Sequence, residues 1–201
     1  MKIKKISFFG FADAKEDSQL YKDAFAVAQV VAEAGYTVVD GGGPGLMRAF
    51  SQGAKSKNGW VVGVTFYPKD ATNFEGRAKD NPLDEEVVTP NYVERTIKLL
   101  DQGDIYIVFN GGTGTISEFA MAWGLARLYF GHHKPLILYG KFWHNVIKAF
   151  VDNMLLRPEE LAVFEIVDSP QGVVSAIKNF ERRLEQETHW HEVSSEKPFR
   201  I

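Results

Sequence analysis

Short apolar runs alternate along the chain with stretches whose apolar residues recur at helical spacing, the rhythm of a parallel sheet covered by helices. Residues 3–9, 36–39, 60–66, 104–109, 134–139 and 163–167 read as strands. Between the first two, Tyr21, Ala24, Phe25, Ala28 and Val31 share one helix face behind a cap at Asp17 or Ser18, and Gly35 ends that helix. Further helices are expected over 46–54, from Thr89-Pro90 to about 102, from the turn at 110–115 to 130, over 143–156 and over 169–186. Residues 67–89 break the rhythm. They carry Pro68, Pro82 and the acidic run Asp84-Glu85-Glu86 without a clear period, and read as a loop beside the site. The pattern predicts a single α/β domain over residues 1–188, a three-layer sandwich around a mostly parallel sheet, with a loosely held tail over 189–201.

The 201 residues, 45% hydrophobic and 24% charged, suffice for one sizeable core and are ordinary for a globular protein. A net charge of −3 provides no global basic field for a nucleic acid backbone or an anionic membrane, so neither is an expected partner; a small anionic ligand needs only a local site. The absence of cysteine excludes disulfides, thiolate metal sites and a Cys nucleophile. Lys2, Lys4 and Lys5 before an apolar stretch imitate an export signal, but that stretch is short and serves as the first strand. No run reaches the ~20 apolar residues of a membrane span, and a cytoplasmic protein is expected.

Two glycine-rich turns each follow a strand and open a helix: Gly41-Gly42-Gly43-Pro44-Gly45 and Asn110-Gly111-Gly112-Thr113-Gly114-Thr115. In an open α/β sheet, ligands sit beyond the carboxyl ends of strands, where helix N-termini offer free N–H groups and the positive end of the dipole. Glycine lets those amides close on a phosphate without a Cβ in the way. Three or four charge-assisted hydrogen bonds of about 1.5–3 kcal/mol each then hold it without a lysine. Neither string is a Walker A motif or a G-x-G-x-x-G fingerprint, and two tight turns are the plain alternative.

Glu118 has a plain alternative as well, since Thr115-Ile116-Ser117-Glu118 fits a capping box. Yet nothing basic lies one turn away, and a place near the start of a helix at the ligand edge of the sheet suits a catalytic carboxylate facing a sugar. Arg95 lacks a carboxylate three or four positions away, so its partner is a distant acid, a ligand anion or water. Glu94 and Lys98, by contrast, are spaced to pair with each other. The histidines show no metal-ligand spacing, and no metal site is expected. Trp123, Trp143 and Phe150 read as core rather than as a stacking platform.

Gly41-Gly-Gly-Pro-Gly-Leu-Met47, Arg95 and Gly111-Gly-Thr-Gly-Thr-Ile-Ser-Glu118 resemble the motifs of the Lonely Guy (LOG) family, proteins long labelled "lysine decarboxylase-like" that act as phosphoribohydrolases. Asp104 stands nine residues after Arg95 and Glu118 twenty-three after it, in the family's register. A weaker likeness covers the Rossmann-like span from about 5 to 139. The resemblance implies hydrolysis of the N-glycosidic bond of a nucleoside 5′-monophosphate, AMP or an N6-substituted AMP, to free base and ribose 5-phosphate, with no cofactor. On that reading Gly111, Gly112, Thr113, Gly114 and Thr115 hold the 5′-phosphate, and Gly41, Gly42, Gly43 and Gly45 line the nucleoside end. Glu118 stabilises an oxocarbenium-like transition state and helps activate water, while Arg95 orients the ligand and balances Glu118. A homodimer built on apolar helix faces is implied as well.

Three positions depart from the family pattern: Asn110 replaces the proline before the second turn, Thr96 the lysine after the arginine, and Phe11 the small polar residue after Gly10. These flanks favour a second reading, a binding module that holds a nucleotide or molybdenum cofactor without cleaving it. Arg95 with Glu118 favours the enzyme. A pyridoxal-phosphate lysine decarboxylase follows only the old label, because no lysine stands in a recognisable cofactor motif.

Overall fold

The computed structural model describes residues 3–68 and 76–188. Strand β1 (Lys5–Phe9) is followed by α1 (Gln19–Glu33), β2 (Thr37–Asp40), α2 (Leu46–Lys55), β3 (Val61–Thr65), β4 (Glu85–Val88) and α3 (Tyr92–Gln102). Then come β5 (Ile105–Val108), α4 (Thr113–Leu128), β6 (Leu136–Tyr139), α5 (Phe142–Asn153), α6 (Pro158–Ala162), β7 (Phe164–Val167) and α7 (Pro170–Thr188). The strands form one sheet in the order β4-β3-β2-β1-β5-β6-β7, and each of its ladders is parallel. Ile6 lies between Val38 on one side and Ile105 on the other. Asp104 sets that register at the strand starts, its carboxylate accepting the N–H groups of Lys4 at 2.8 Å and Lys5 at 2.9 Å.

Side chains alternate between the two faces of a strand, and the core divides accordingly. Ile6, Phe8, Ile105, Ile107 and Ile137 face α1, α2 and α7; Phe9, Tyr106, Val108, Leu136 and Leu138 face α3, α4 and α5. Strands covered on both sides are apolar on both, which is why they appear in the sequence as near-continuous runs. The result is the expected Rossmann-like three-layer sandwich. Among the described residues no helix is long and apolar enough to cross a membrane.

Several expectations are corrected. Glu85–Val88, read as loop, is an edge strand with three of its four residues exposed. Its acidic side chains suit an edge, where charge discourages pairing with another chain, and they also hid the strand from an apolar pattern. Helix α3 starts at Tyr92 under Asn91, whose Oδ1 accepts the Glu94 N–H at 2.9 Å; Thr89 instead donates its N–H and hydroxyl to the Thr65 carbonyl, closing β4. Lys98 pairs with Asp101 at 3.0 Å rather than with Glu94. The short α6 was not anticipated. Residues 69–75 of the expected loop and the expected tail at 189–201 lie outside the described residues.

Candidate functional site

The chain builds outward from β1 through β2, β3 and β4, then crosses back to lay β5 on the other side of β1. Connections leaving the carboxyl ends of β1 and β5 therefore diverge and open a crevice, where sheets of this kind bind ligands. The segment after β1 is tied to both glycine-rich turns: the Phe11 N–H donates to the Asn110 carbonyl at 3.2 Å, and the Phe11 carbonyl accepts from the Leu46 N–H at 2.9 Å. A cavity of about 260 Å³ opens here. Its wall takes Phe9 at the end of β1 and Gly10 to Asp13 after it, Gly41 and Met47 around the first turn, Tyr92 and Arg95 from α3, and Gly112 to Thr115 with Glu118 from α4.

Helix α4 starts on Gly112, which brings no capping side chain. The first N–H groups of a helix, here through Thr115, have no acceptor within it, and the positive end of the helix dipole lies at the cavity wall. Gly111 is required by packing, since a Cβ there would collide with the Thr115 hydroxyl. Because the helix begins at Thr113, Glu118 stands too far along it to reach back to the cap. The capping-box alternative is thereby removed, and the carboxylate lies buried at 7% exposure near Arg95.

Arg95 is 6% exposed and held from several sides. Its Nε donates to the Val64 carbonyl of β3 at 3.0 Å and its Nη2 to the Gly41 carbonyl at 3.1 Å, 3.5 Å from Met47 Sδ. Nη1 stands 4.0 Å from Glu118 Oε1. Gly41 makes this approach possible, because a Cβ there would collide with Nη2. Burial pushes the Glu118 carboxyl up to about 7 against the opposing charge of Arg95. A carboxyl that titrates near neutrality in a cleft is suited to acid–base work. Asp40, at the end of β2, accepts from the Gly42 N–H and the Ser51 hydroxyl, both at 2.6 Å. Burial raises it to about 6, against those two hydrogen bonds and the charges of Arg95 and Arg77.

Of the residues singled out from the sequence, Gly41, Arg95, Gly112, Thr113, Gly114, Thr115 and Glu118 meet at the cavity. Gly42, Gly43, Gly45 and Gly111 do not line it. The carbonyls of Gly42 and Gly43 accept from the Ala78 N–H and the Asn81 side chain, each at 3.0 Å, so residues from the expected loop cover the back of the first turn. Sequence reasoning missed Asp13 and Tyr92 on the wall and Asp40 behind it. Tyr92 stands one helical turn before Arg95, a spacing that puts both on one face and was available as a signal. Among the described residues no group of three or more His, Asp or Glu side chains comes together to hold a metal ion.

Residues 3–156 match the SLOG cluster4 family. A cytokinin riboside 5′-monophosphate phosphoribohydrolase of Mycobacterium tuberculosis is 31% identical over 166 residues, which cover 79% of this chain and 86% of that protein. An uncharacterised protein of Archaeoglobus fulgidus is 31% identical over 140 residues, covering 70% and 87%. Among solved structures, the molybdenum cofactor binding protein of the phototrophic bacterium Rippkaea orientalis superposes with a TM-score of 0.67 at 25% identity, over 90% of this chain and 99% of that one.

Proposed function

The chain belongs to the SLOG cluster4 family and is of the Lonely Guy type, and from that membership we propose that it is a nucleoside 5′-monophosphate phosphoribohydrolase. The observation that carries this reading is the buried Arg95–Glu118 pair in one cavity with an uncapped helix N-terminus. The 5′-phosphate takes the amides from Gly112 to Thr115, where its charge meets the helix dipole. Glu118, further into α4, then faces the ribose. As a carboxylate it stabilises positive charge developing at C1′ and takes a proton from the attacking water. The C1′–N bond breaks as the C1′–O bond forms, and the proton taken from water passes to the departing base nitrogen, leaving free base, ribose 5-phosphate and an ionised Glu118. Arg95, seated on the Val64 and Gly41 carbonyls, opposes protonation of Glu118. No cofactor takes part.

The likeness to the Mycobacterium tuberculosis enzyme supports this reading. The test is release of free base from AMP, N6-substituted AMP and other nucleoside 5′-monophosphates, with Glu118→Gln beside the wild type. Cleavage is expected for the wild type, reduced at least ~100-fold in the variant. A second reading, a carrier that holds a phosphorylated ligand uncleaved, is favoured by the likeness to the Rippkaea orientalis protein and by Phe11, a 40% exposed ring on the cavity wall that an aromatic ligand can stack on. It takes over if AMP or a larger phosphorylated ligand binds and nothing is cleaved. We also propose that the chain forms a homodimer through the outer face of α4, where Ile116, Met121 and Leu128 are exposed.

A further inference from the structure

Tyr92 lines the cavity, and the mechanism above gives it no task. It opens α3 one turn before Arg95, so the two side chains leave one face of that helix and reach the same cavity. Its ring stands edge-on to Phe66, just beyond the end of β3, with centroids 6.2 Å apart at an angle of 73°. The hydroxyl ends at α4: Tyr92 Oη lies 3.0 Å from where a Cβ on Gly114 would stand, closer than unbonded atoms ordinarily come. Gly114 leaves that space open. It is the second residue of α4, among those whose N–H groups find no acceptor within the helix. A phenol carried by one helix thus reaches the free amides of another.

The charges on the wall show what such a donor is for. A phosphomonoester carries about −1.5 to −2 at neutral pH. Among the described residues Arg95 is the one cation lining the cavity, and the acids Asp13 and Glu118 line it too. Two arginine nitrogens are committed to the Val64 and Gly41 carbonyls, and the third stands 4.0 Å from Glu118 Oε1. A phosphate here must therefore be held largely by neutral donors. Glu118 itself marks the cavity as a place for a ligand: it is 7% exposed, and no hydrogen bond from a described residue reaches its carboxylate. We propose that the Tyr92 hydroxyl donates a hydrogen bond to the 5′-phosphate bound at the N-terminus of α4, so that α3 and α4 close on the phosphate from two sides. The inference rests on reading that terminus as the phosphate site. A phenol brings a donor without a charge, and one carried by α3 ties the phosphate to the helix that also places Arg95 beside Glu118.

Tyr92→Phe removes the hydroxyl and keeps the ring against Phe66. Titration calorimetry on the full chain compares AMP, inorganic phosphate and adenosine. Losing one hydrogen bond to a charged ligand is expected to weaken AMP and phosphate about tenfold and to leave adenosine within about twofold of wild type. In the base-release assay the KM for AMP rises by more than kcat falls. In the wild-type chain, isotope-labelled at the tyrosine Cζ atoms, saturating inorganic phosphate moves the Tyr92 NMR signal. Equal affinity of wild type and Tyr92→Phe for AMP and phosphate overturns the inference. So does an equal loss for adenosine, which assigns the hydroxyl to holding the cavity wall rather than the phosphate. Should the variant not fold, an unmoved Tyr92 signal overturns it instead. Base release keeps the two readings apart: phosphate binding that depends on Tyr92 without hydrolysis removes only the hydrolase, and hydrolysis with AMP affinity indifferent to Tyr92→Phe removes only the role of Tyr92.

Discussion

Burying Glu118 beside a single guanidinium raises the free energy of its ionised form, and that gives a signed dependence of stability on pH. The ordinary value of the carboxyl is 4.5 and its folded value about 7, so between the two the folded chain binds more protons than the unfolded one. Below about 4.5 the group is neutral in both states and costs nothing; as pH rises through 7 the folded chain must hold a buried carboxylate, and stability falls. Glu118→Gln is expected to be more stable than wild type at pH 8 by roughly 1–3 kcal/mol, with the advantage fading towards pH 4.5. Urea unfolding at the two pH values measures it, and an advantage independent of pH would assign the gain to packing. Arg95 and Glu118 were legible in the sequence because neither has an opposite charge one turn away on its own helix. Asp40 was not, since nothing in the string Val38-Val39-Asp40-Gly41 says that Ser51 and Arg95, from two other helices, converge behind the turn.

Among the elements, the two glycine-rich turns differ in what their glycines are for. At Gly41 a Cβ would meet Arg95 Nη2 and displace the guanidinium from its carbonyl seat; at Gly112 nothing lies within 4 Å of where a Cβ would stand. Gly41→Ala is therefore expected to lose about 1–3 kcal/mol of stability and also weaken AMP binding. Gly112→Ala should lose less, within about 1 kcal/mol because alanine caps a helix less well than glycine, and weaken AMP binding at the helix N-terminus. Thermal unfolding beside titration calorimetry with AMP separates the two, and a Gly112→Ala destabilised as much as Gly41→Ala would contradict the assignment. Elements buried on both faces, such as β1 and β5, were readable because their runs are apolar apart from Lys5 and Ser7 of β1. The edge strand β4 was not readable, because Glu85 and Glu86 face solvent and its partner, β3, lies across a long connection. The start of α3 was misplaced by two residues because Thr89 and Asn91 are both competent caps, and only the pairing of β4 with β3 turns Thr89 towards the Thr65 carbonyl.

For the whole molecule, reversal of strand order between β1 and β5 puts the cavity at the first turn of α4, while the rest of that helix runs along the outside of the sandwich. Its outward residues are Ile116, Ser117, Ala120, Met121, Gly124 and Leu128, all exposed and none charged. A solvated helix face normally carries charge, and its absence here suits a surface covered by another chain. Gly124 lies within this face, and nothing stands within 4 Å of where its Cβ would be. Gly124→Glu therefore meets no obstacle in a single chain, and replacing a helix-interior glycine favours the helix by some tenths of a kcal/mol. Across an interface between two copies it would bury a carboxylate against an apolar face. Sedimentation equilibrium at micromolar concentration is expected to give a dimer for the wild type and a monomer for Gly124→Glu, with the helical circular dichroism of the variant unchanged. A monomeric wild type removes the dimer, whereas a dimeric Gly124→Glu moves the interface to another face.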